Sequence, residues 1–333
     1  MRHSRHASYH KGELIAQERA GFRESAEHLR AIIDDRLPRG AQGFLAELPF
    51  LVVGAAAPDA RVWASIVYGR PGFLRVIGPR EVLVAAHLPE TDPLAAALAD
   101  SAHVGTLAID LPHRRRLRVN GRTEAVPEGF TLTVDQAYGN CPKYIQSREP
   151  EGAVSVPAVS RVTRGRELRP EQRHMIDTAD TFFVASTSTT GDADVSHRGG
   201  NRGFTRTLTP QRLQWPEYEG NTMLMTLGNL TVNPAAGLLF VDWHAGTTLQ
   251  LTGTAAIDWN TRTAVGAHGA ETAVDFRVAE VIQTDLPTGS LNWSEPLFSR
   301  FNPPTPSASP GDRSDPRART EDQRHDQAGR TGA

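Results

Sequence analysis

The chain has 333 residues, which at roughly 150 residues per domain predicts about two domains and excludes a small module that needs disulfides or a metal for its core. Its 36 lysines and arginines against 38 acidic residues leave a net charge of −2. No overall basic field exists to hold nucleic acid or a membrane surface, so any anion site must be local. The one cysteine, Cys141, excludes an intrachain disulfide and a Cys-rich zinc or iron–sulfur site. The longest apolar runs, such as Gly237 to Val241, fall far short of the ~20 residues of a membrane helix. Met1-Arg-His-Ser-Arg-His leads into charged residues rather than an apolar signal core. A cytoplasmic, globular protein is expected.

Along the chain, Leu14, Ile15, Phe22, Leu29, Ile32 and Ile33 form an apolar stripe among charged residues, which predicts one amphipathic helix over Gly12 to Leu37, closed by Pro38 and Gly40. From Phe50 the texture changes to short β-branched runs bounded by Gly, Pro and Asp: Leu51 to Ala55, Val62 to Tyr68, Val82 to Ala85, Val104 to Ile109 and Leu117 to Ala125. A helical interruption, Pro93 to Asp100, precedes the fourth. Short strands so spaced predict an antiparallel barrel or sandwich. The basic run His113-Arg-Arg-Arg-Leu-Arg118 follows Pro112 and reads as a solvated hairpin turn. Asn140-Cys-Pro-Lys-Tyr-Ile-Gln146 places a thiol, an ammonium and a phenol in one loop, with no base beside Cys141 to activate it.

An internal repeat is visible. At an offset of 131 residues Ser65 falls on Ser196, Gly72-Phe73 on Gly203-Phe204, Arg75 on Arg206 and Pro79 on Pro210. At 132, Gly105-Thr-Leu-Ala-Ile-Asp110 falls on Gly237-Leu-Leu-Phe-Val-Asp242, Leu117 on Leu249 and Gly121 on Gly253. The nearly constant offset over about 70 residues predicts one β module used twice.

The second copy carries polar residues where the first is bland. Asp194-Val-Ser-His-Arg-Gly-Gly-Asn-Arg-Gly-Phe204 places His197, Arg198 and Arg202 around Gly199-Gly200. Glycines allow positive φ and let main-chain N–H groups converge on an anion, while arginine offers a bidentate fork to phosphate. A solvated hairpin turn has the same composition. Asn221 or Thr222 is a candidate N-cap for a helix to about Val232, stopped by Asn233-Pro234, and its N-terminus is a second candidate for phosphate contact. The motifs of Rossmann dehydrogenases, phosphate-loop NTPases, zincins and nucleophile-elbow hydrolases are missing from the sequence. After Phe301 a stretch rich in Pro, Ser, Asp and Gly predicts disorder from about residue 304.

Ala179-Asp-Thr-Phe-Phe-Val-Ala185, Asp194 to Gly200, Gly220-Asn221, Thr226-Leu-Gly-Asn-Leu230, Asn233-Pro234 and Gly237 to Asp242 resemble the pyridoxamine 5′-phosphate oxidase-like, FMN-binding split-barrel family. More closely, they resemble its predicted flavin-nucleotide-binding branch in bacteria. His10-Lys-Gly-Glu13, Val62-Trp-Ala-Ser65, Arg118-Val-Asn-Gly-Arg122 and Asn140 to Gln146 resemble its two-barrel members.

The resemblance implies a mainly β fold of two tandem split β-barrels: an N-terminal helical segment (1–40), a first repeat with a degenerate site (41–150), a second repeat with the flavin site (151–303) and a disordered tail (304–333). It implies FMN held by Ser196, His197, Arg198, the Gly199-Gly200 backbone, Asn221, Thr222 and Gln250, with Trp293 a looser match to a tryptophan near flavin. The Arg/Lys-rich strand and C-terminal Arg segment that serve the vitamin-synthesising oxidase are not found, which argues against pyridoxamine phosphate as substrate. The implied activity is an FMN-dependent oxidoreductase acting on a small molecule, reduced by NAD(P)H, a reduced deazaflavin or a separate reductase. A flavin- or haem-binding carrier or sensor is the alternative. The implied assembly is a homodimer or a pseudo-dimer within one chain.

Overall fold

The computed structural model describes residues 9–151, 158–260, 270–287 and 292–305; the expected disordered tail lies outside them from residue 306. The first half contributes β1 (Phe50–Ala56), β2 (Val62–Tyr68), β3 (Leu74–Gly78), β4 (Glu81–Val84), β5 (His103–Asp110), β6 (Arg115–Val126) and β7 (Gly129–Gly139). The second contributes β8 (Arg161–Gly165), β9 (Thr181–Thr187), β10 (Ala193–Gly199), β11 (Arg206–Thr209), β12 (Arg212–Tyr218), β13 (Ala235–Asp242), β14 (Thr247–Asp258) and β15 (Ala270–Asp285). The strands predicted in the first half are all present, with ends shifted by one or two residues.

Two antiparallel sheets result, of seven and eight strands, so the fold is mainly β, as in tandem split barrels. The first runs β2-β1-β5-β6-β7-β4-β3 and the second β10-β9-β13-β14-β15-β12-β11, with β8 paired to β15. Shifting the first order by the strand correspondence β1 to β9 and β5 to β13 reproduces the second.

Strands buried on both faces lose the alternation of a half-exposed strand. β1, β2 and β9 are buried along almost their whole length for this reason. Leu51, Val53 and Ala55 enter the core of the first half, whereas Phe50 and Val52 on the opposite face join a third core shared with Phe183, Ala185, Val195 and Leu239 of the second. The halves therefore pack sheet face to sheet face. Two glycines permit the approach: a Cβ on Gly105 would lie 2.4 Å from the Asp194 Cα, and one on Gly237 would lie 2.5 Å from the Trp63 Cα.

The helices depart most from expectation. The single N-terminal helix is broken into α1 (Lys11–Ala20), α2 (Arg23–Leu29) and a 3₁₀ turn (Arg30–Ile32), because Gly21 adopts a left-handed conformation (φ 75°) that closes α1. Its buried face is Gly12, Glu13, Ala16 and Gln17 rather than the apolar stripe, and Ile15 is 41% exposed. The reason is that α1 lies on a helix of the second half with small residues at the crossing. α3 (Ala41–Ala46) follows the Gly40 turn, and the predicted interruption at Pro93 to Asp100 is α4 (Ala95–Leu98). In the second half α5 (Pro170–Thr178) precedes β9, and α6 (Met225–Val232) ends where Asn233-Pro234 predicts. Its N-cap is Leu224, not Asn221 or Thr222. Among the described residues no helix is long and apolar enough to cross a membrane.

Candidate functional site

Successive strand residues face opposite sides, so Arg116 and Arg118 on β6 share one face. That face meets β10, and the two arginines cross from the first half to the second. Arg118 is 4% exposed. Its Nε lies 3.0 Å from Asp194 Oδ1 and donates to the Val195 carbonyl at 3.1 Å. Its Nη1 donates to the Tyr138 hydroxyl at 2.8 Å, and its Nη2 to the Ser196 hydroxyl. Ser196 also accepts from Thr226 Oγ1 at 2.8 Å and donates to Asp194 Oδ2 at 3.1 Å. One hydroxyl has one donor and two acceptor sites, so the capacity of Ser196 is fully used inside this network.

Arg116 is built differently. Its Nε and Nη2 donate to the Cys141 carbonyl, and Nη1 reaches His197 Nδ1 at 3.2 Å. All its partners are neutral. Around it, Arg118 is matched by Asp194, Arg198 by Glu217 (2.7 Å) and Lys143 by Glu219 (3.5 Å). Burial, then the Arg118 and Arg198 charges, push the Arg116 guanidinium down to about 9. An arginine keeps its proton in practice, so the physical content is an uncompensated cation that an anion would relieve. The same surroundings hold His197 well below the ordinary histidine range, first through burial and then through Arg116, Arg198 and Arg148. His197 is therefore a neutral ring whose Nδ1 accepts from Arg116, and its buried Nε2 has no partner.

These groups line a cleft of about 100 Å³ between the halves, with Arg116, Lys143 and Tyr144 from one side and His197, Arg198, Gly199, Asn221 and Leu224 from the other. Its rim is strained. Tyr144 (φ 67°), Thr222 (φ 58°) and Leu224 (φ 55°) are non-glycine residues in the left-handed region, a conformation that costs on the order of 1 to 3 kcal/mol each and persists where surroundings over-determine it.

No protein-family model and no curated protein matches this sequence. Among solved structures, the chain is similar to HupZ of Group A Streptococcus, at 14% identity and a TM-score of 0.29 over 38% of this chain and 98% of that one. An FMN-binding protein from Syntrophomonas wolfei matches at 8% identity and a TM-score of 0.26, over 33% and 82%. A pyridoxinephosphate oxidase family protein from Clostridium acetobutylicum, related to general stress protein 26, matches at 14% identity and 0.25, over 38% and 90%.

Of the residues expected from sequence, Ser196, His197, Arg198, Gly199 and Asn221 line the cleft. The glycine pair serves a different purpose from the one expected: neither has a positive φ. A Cβ on Gly199 would lie 2.0 Å from the Tyr144 carbonyl oxygen, and one on Gly200 2.6 Å from the Phe204 ring. They admit the 140–146 loop and a core aromatic. Gly200 lies off the lining, its N–H donating to the Asp180 carbonyl. Thr222 sits in the strained turn before α6 with a buried hydroxyl that has no partner. Gln250 is not brought to the cleft: it donates to Ser65 Oγ at 2.8 Å and to the Ala64 carbonyl at 3.1 Å, beside Asp92. Arg202 pairs with Glu295 and Trp293 packs on Trp243, both away from the cleft.

Arg116, Arg118 and Lys143 were not expected there. The run His113 to Arg118 is a solvated turn only as far as Arg115; beyond it the strand carries two arginines inward. Their spacing of two on a strand was the available signal.

Proposed function

We propose that the cleft binds the phosphate of a flavin nucleotide, FMN, and that the protein is an FMN-dependent oxidoreductase acting on a small molecule. The observation that carries the reading is Arg116: a cation with neutral partners only, while each neighbouring cation has its own carboxylate. Phosphate supplies the missing counter-charge and accepts the guanidinium's N–H groups in pairs. The buried, unpartnered His197 Nε2 fits as a further neutral donor beside it. Asn221 and the N-terminus of α6, which carries no side-chain cap, border the same space. At about 100 Å³ the cleft suits the phosphate, the part of FMN these residues are equipped to hold. When bound, FMN supplies the hydride and electron chemistry. The chain's own contribution is to bind and orient the phosphate, to keep His197 neutral through the two flanking arginines and to hold the 140–146 loop against β10.

The same reading takes residues 41–150 and 151–303 as two copies of one β module, with α1 of the N-terminal helical segment (1–40) packed on α6 of the second copy and Asp34 bridged to Ala137 of the first. The cleft draws lining from both copies, so the chain acts as its own pseudo-dimer. The place equivalent to the cleft, where Gln250 replaces Arg118, is closed by Ser65 and Asp92 and holds no flavin.

The test is purification of the full chain, an absorption spectrum, acid release of bound cofactor and titration with FMN followed by flavin fluorescence. Uptake of FMN at one equivalent per chain is expected, with competition by inorganic phosphate. Absence of uptake overturns the reading. Addition of NAD(P)H or reduced deazaflavin to the loaded protein then distinguishes an oxidoreductase, whose flavin absorbance bleaches and is restored by an acceptor, from a carrier, whose flavin stays oxidised.

A further inference from the structure

A second and larger cavity, of about 510 Å³, lies between α5, the hairpin joining β13 to β14 and the segment around Trp293. That volume falls within the ~300 to 1,000 Å³ of small-molecule sites, and no lining residue is shared with the cationic cleft. Four of its residues are deeply buried polar groups: Arg148 (6% exposed), Asp180 (5%), Thr181 (3%) and Gln172 (3%), the last already hydrogen-bonded to the Arg169 N–H and to Gln283. Arg148 Nη2 donates to Asp180 Oδ2 at 2.5 Å, and its guanidinium carbon lies 5.9 Å from the centre of the Trp243 ring. The pair is thereby fixed.

The pair is also incomplete. Eight buried side-chain polar atoms among the described residues lack a partner, and three of them, Arg148 Nη1, Asp180 Oδ1 and Thr181 Oγ1, belong to this one cavity. Burying such an atom unpaired costs about 1 to 3 kcal/mol, so three residues lining one cavity each carry an unmet demand. The chemistry of that demand is specific. Arg148 and Asp180 neutralise each other, and the other charged lining residues, Glu171, Asp242 and Glu295 against Arg202, leave an excess of negative charge that disfavours an anion. What remains is a donor next to an acceptor. An amide group matches it, its carbonyl accepting from Arg148 and its N–H donating to Asp180. Trp243, Trp293, Met175 and Pro296 supply an apolar, aromatic part of a wall that elsewhere carries polar and charged residues such as His174, Arg202, Asp242 and Glu295. The two tryptophans, 5.6 Å apart at their ring centres, suit a flat ring.

We propose that this cavity is a binding site for a planar, neutral heteroaromatic amide, a ring bearing either a carboxamide or a lactam. The inference does not depend on flavin binding in the cleft.

The test uses ligand-observed NMR on the full chain, with nicotinamide as the carboxamide probe, uracil as the lactam probe and nicotinate as the charged control. Binding of nicotinamide, of uracil or of both, with nicotinate at least tenfold weaker, is expected, and the two arms assign the amide type. Thr181→Val, nearly isosteric, should weaken the bound probe about fivefold or more by removing one hydrogen-bonding group. Met175→Trp, which fills the cavity from α5, should abolish binding and serves if Thr181→Val fails to fold. No binding of either amide at millimolar concentration, equal binding of nicotinate, or binding unchanged in Met175→Trp would each overturn the proposal.

Discussion

Arg118 of the first half donates to the Ser196 hydroxyl of the second, and Gln250, 132 positions further along the chain, donates from the second half to the Ser65 hydroxyl of the first. The accompanying carbonyls, Val195 and Ala64, correspond in the same way. One cross-half contact is thus made twice with different chemistry. A guanidinium brings a charge that Asp194 balances, and it leaves its neighbour two residues back, Arg116, to face the cleft. A neutral amide on the other side brings no charge, and Asp92 closes the space by accepting from both Ser65 and Gln250. The asymmetry of the two places therefore follows from two positions of one strand, Arg116 and Arg118 on one side against Thr248 and Gln250 on the other, together with Asp92.

Arg116→Ala should weaken FMN binding by about 10- to 100-fold, the equivalent of the ~1.5 to 3 kcal/mol of a charge-assisted hydrogen bond. Arg116→Lys should recover part of it, since lysine restores the charge without the planar fork. Fluorescence titration checks both. Equal affinity in wild type and Arg116→Ala would place the phosphate elsewhere.

Arg198 gives a contrasting expectation. Its Nε donates to Glu217 Oε1, which also accepts from Trp215 Nε1 at 2.8 Å. Much of its charge is already answered, so Arg198→Ala should weaken FMN binding less than Arg116→Ala. Glu217→Gln keeps an acceptor for Trp215 and removes the counter-charge, so it should tighten binding of inorganic phosphate or FMN several-fold. The change should shrink with added salt, as Coulomb terms do near a surface. An Arg198→Ala loss as large as that of Arg116→Ala would contradict this division of labour.

The Arg118–Asp194 pair is 5% exposed on both sides. Removing one member leaves a buried charge without its partner, at a cost of about 3 to 5 kcal/mol. Asp194→Ala should therefore lower the urea midpoint severely, and Arg118→Met in the same chain should restore part of the loss. Denaturant unfolding of the two variants and wild type checks the sign of that coupling. A double variant no more stable than Asp194→Ala would show that the charge is not the source of the cost.

The strands of the first half were readable because β-branched runs between turn residues have few alternatives, and the repeat of Gly105 at Gly237 pointed to a second, similar β module. The helix over Gly12 to Leu37 was overextended because the apolar stripe continues through Gly21, and only the crossing with α6 reveals that Glu13 and Gln17 are the buried residues. For the cleft, the His197–Arg198 side was visible as charge beside glycine. The Arg116 side was not, since five cations in six residues after a proline look solvated until Asp194 and the Cys141 carbonyl are seen to receive two of them. Gln250 was misplaced for the complementary reason: its strand corresponds to the one that carries Arg118, but it faces Ser65 and Asp92 of the first half instead of the cleft.

The buried face of α1 supplies a prediction about pH. Burial, with the charges of Asp194 and Asp192 adding to it, pushes the Glu13 carboxyl up to about 8, against an ordinary value of 4.5. The opposing influences are the His10 main-chain N–H, donating at 2.8 Å, and the Arg118 charge. A carboxyl with a higher pKa folded than unfolded holds more protons in the folded chain between those two values. Its stabilising contribution is then complete below about pH 4.5 and is lost as pH rises towards 8. Glu13→Gln keeps an acceptor for the His10 N–H and cannot ionise, so this variant should gain stability relative to wild type on going from pH 5 to pH 8. Asp92, His10 and His197 titrate in both proteins, and their contributions cancel in the comparison to first order. Urea midpoints of the two proteins at the two pH values measure the difference, and parallel pH profiles would show that Glu13 is ionised throughout.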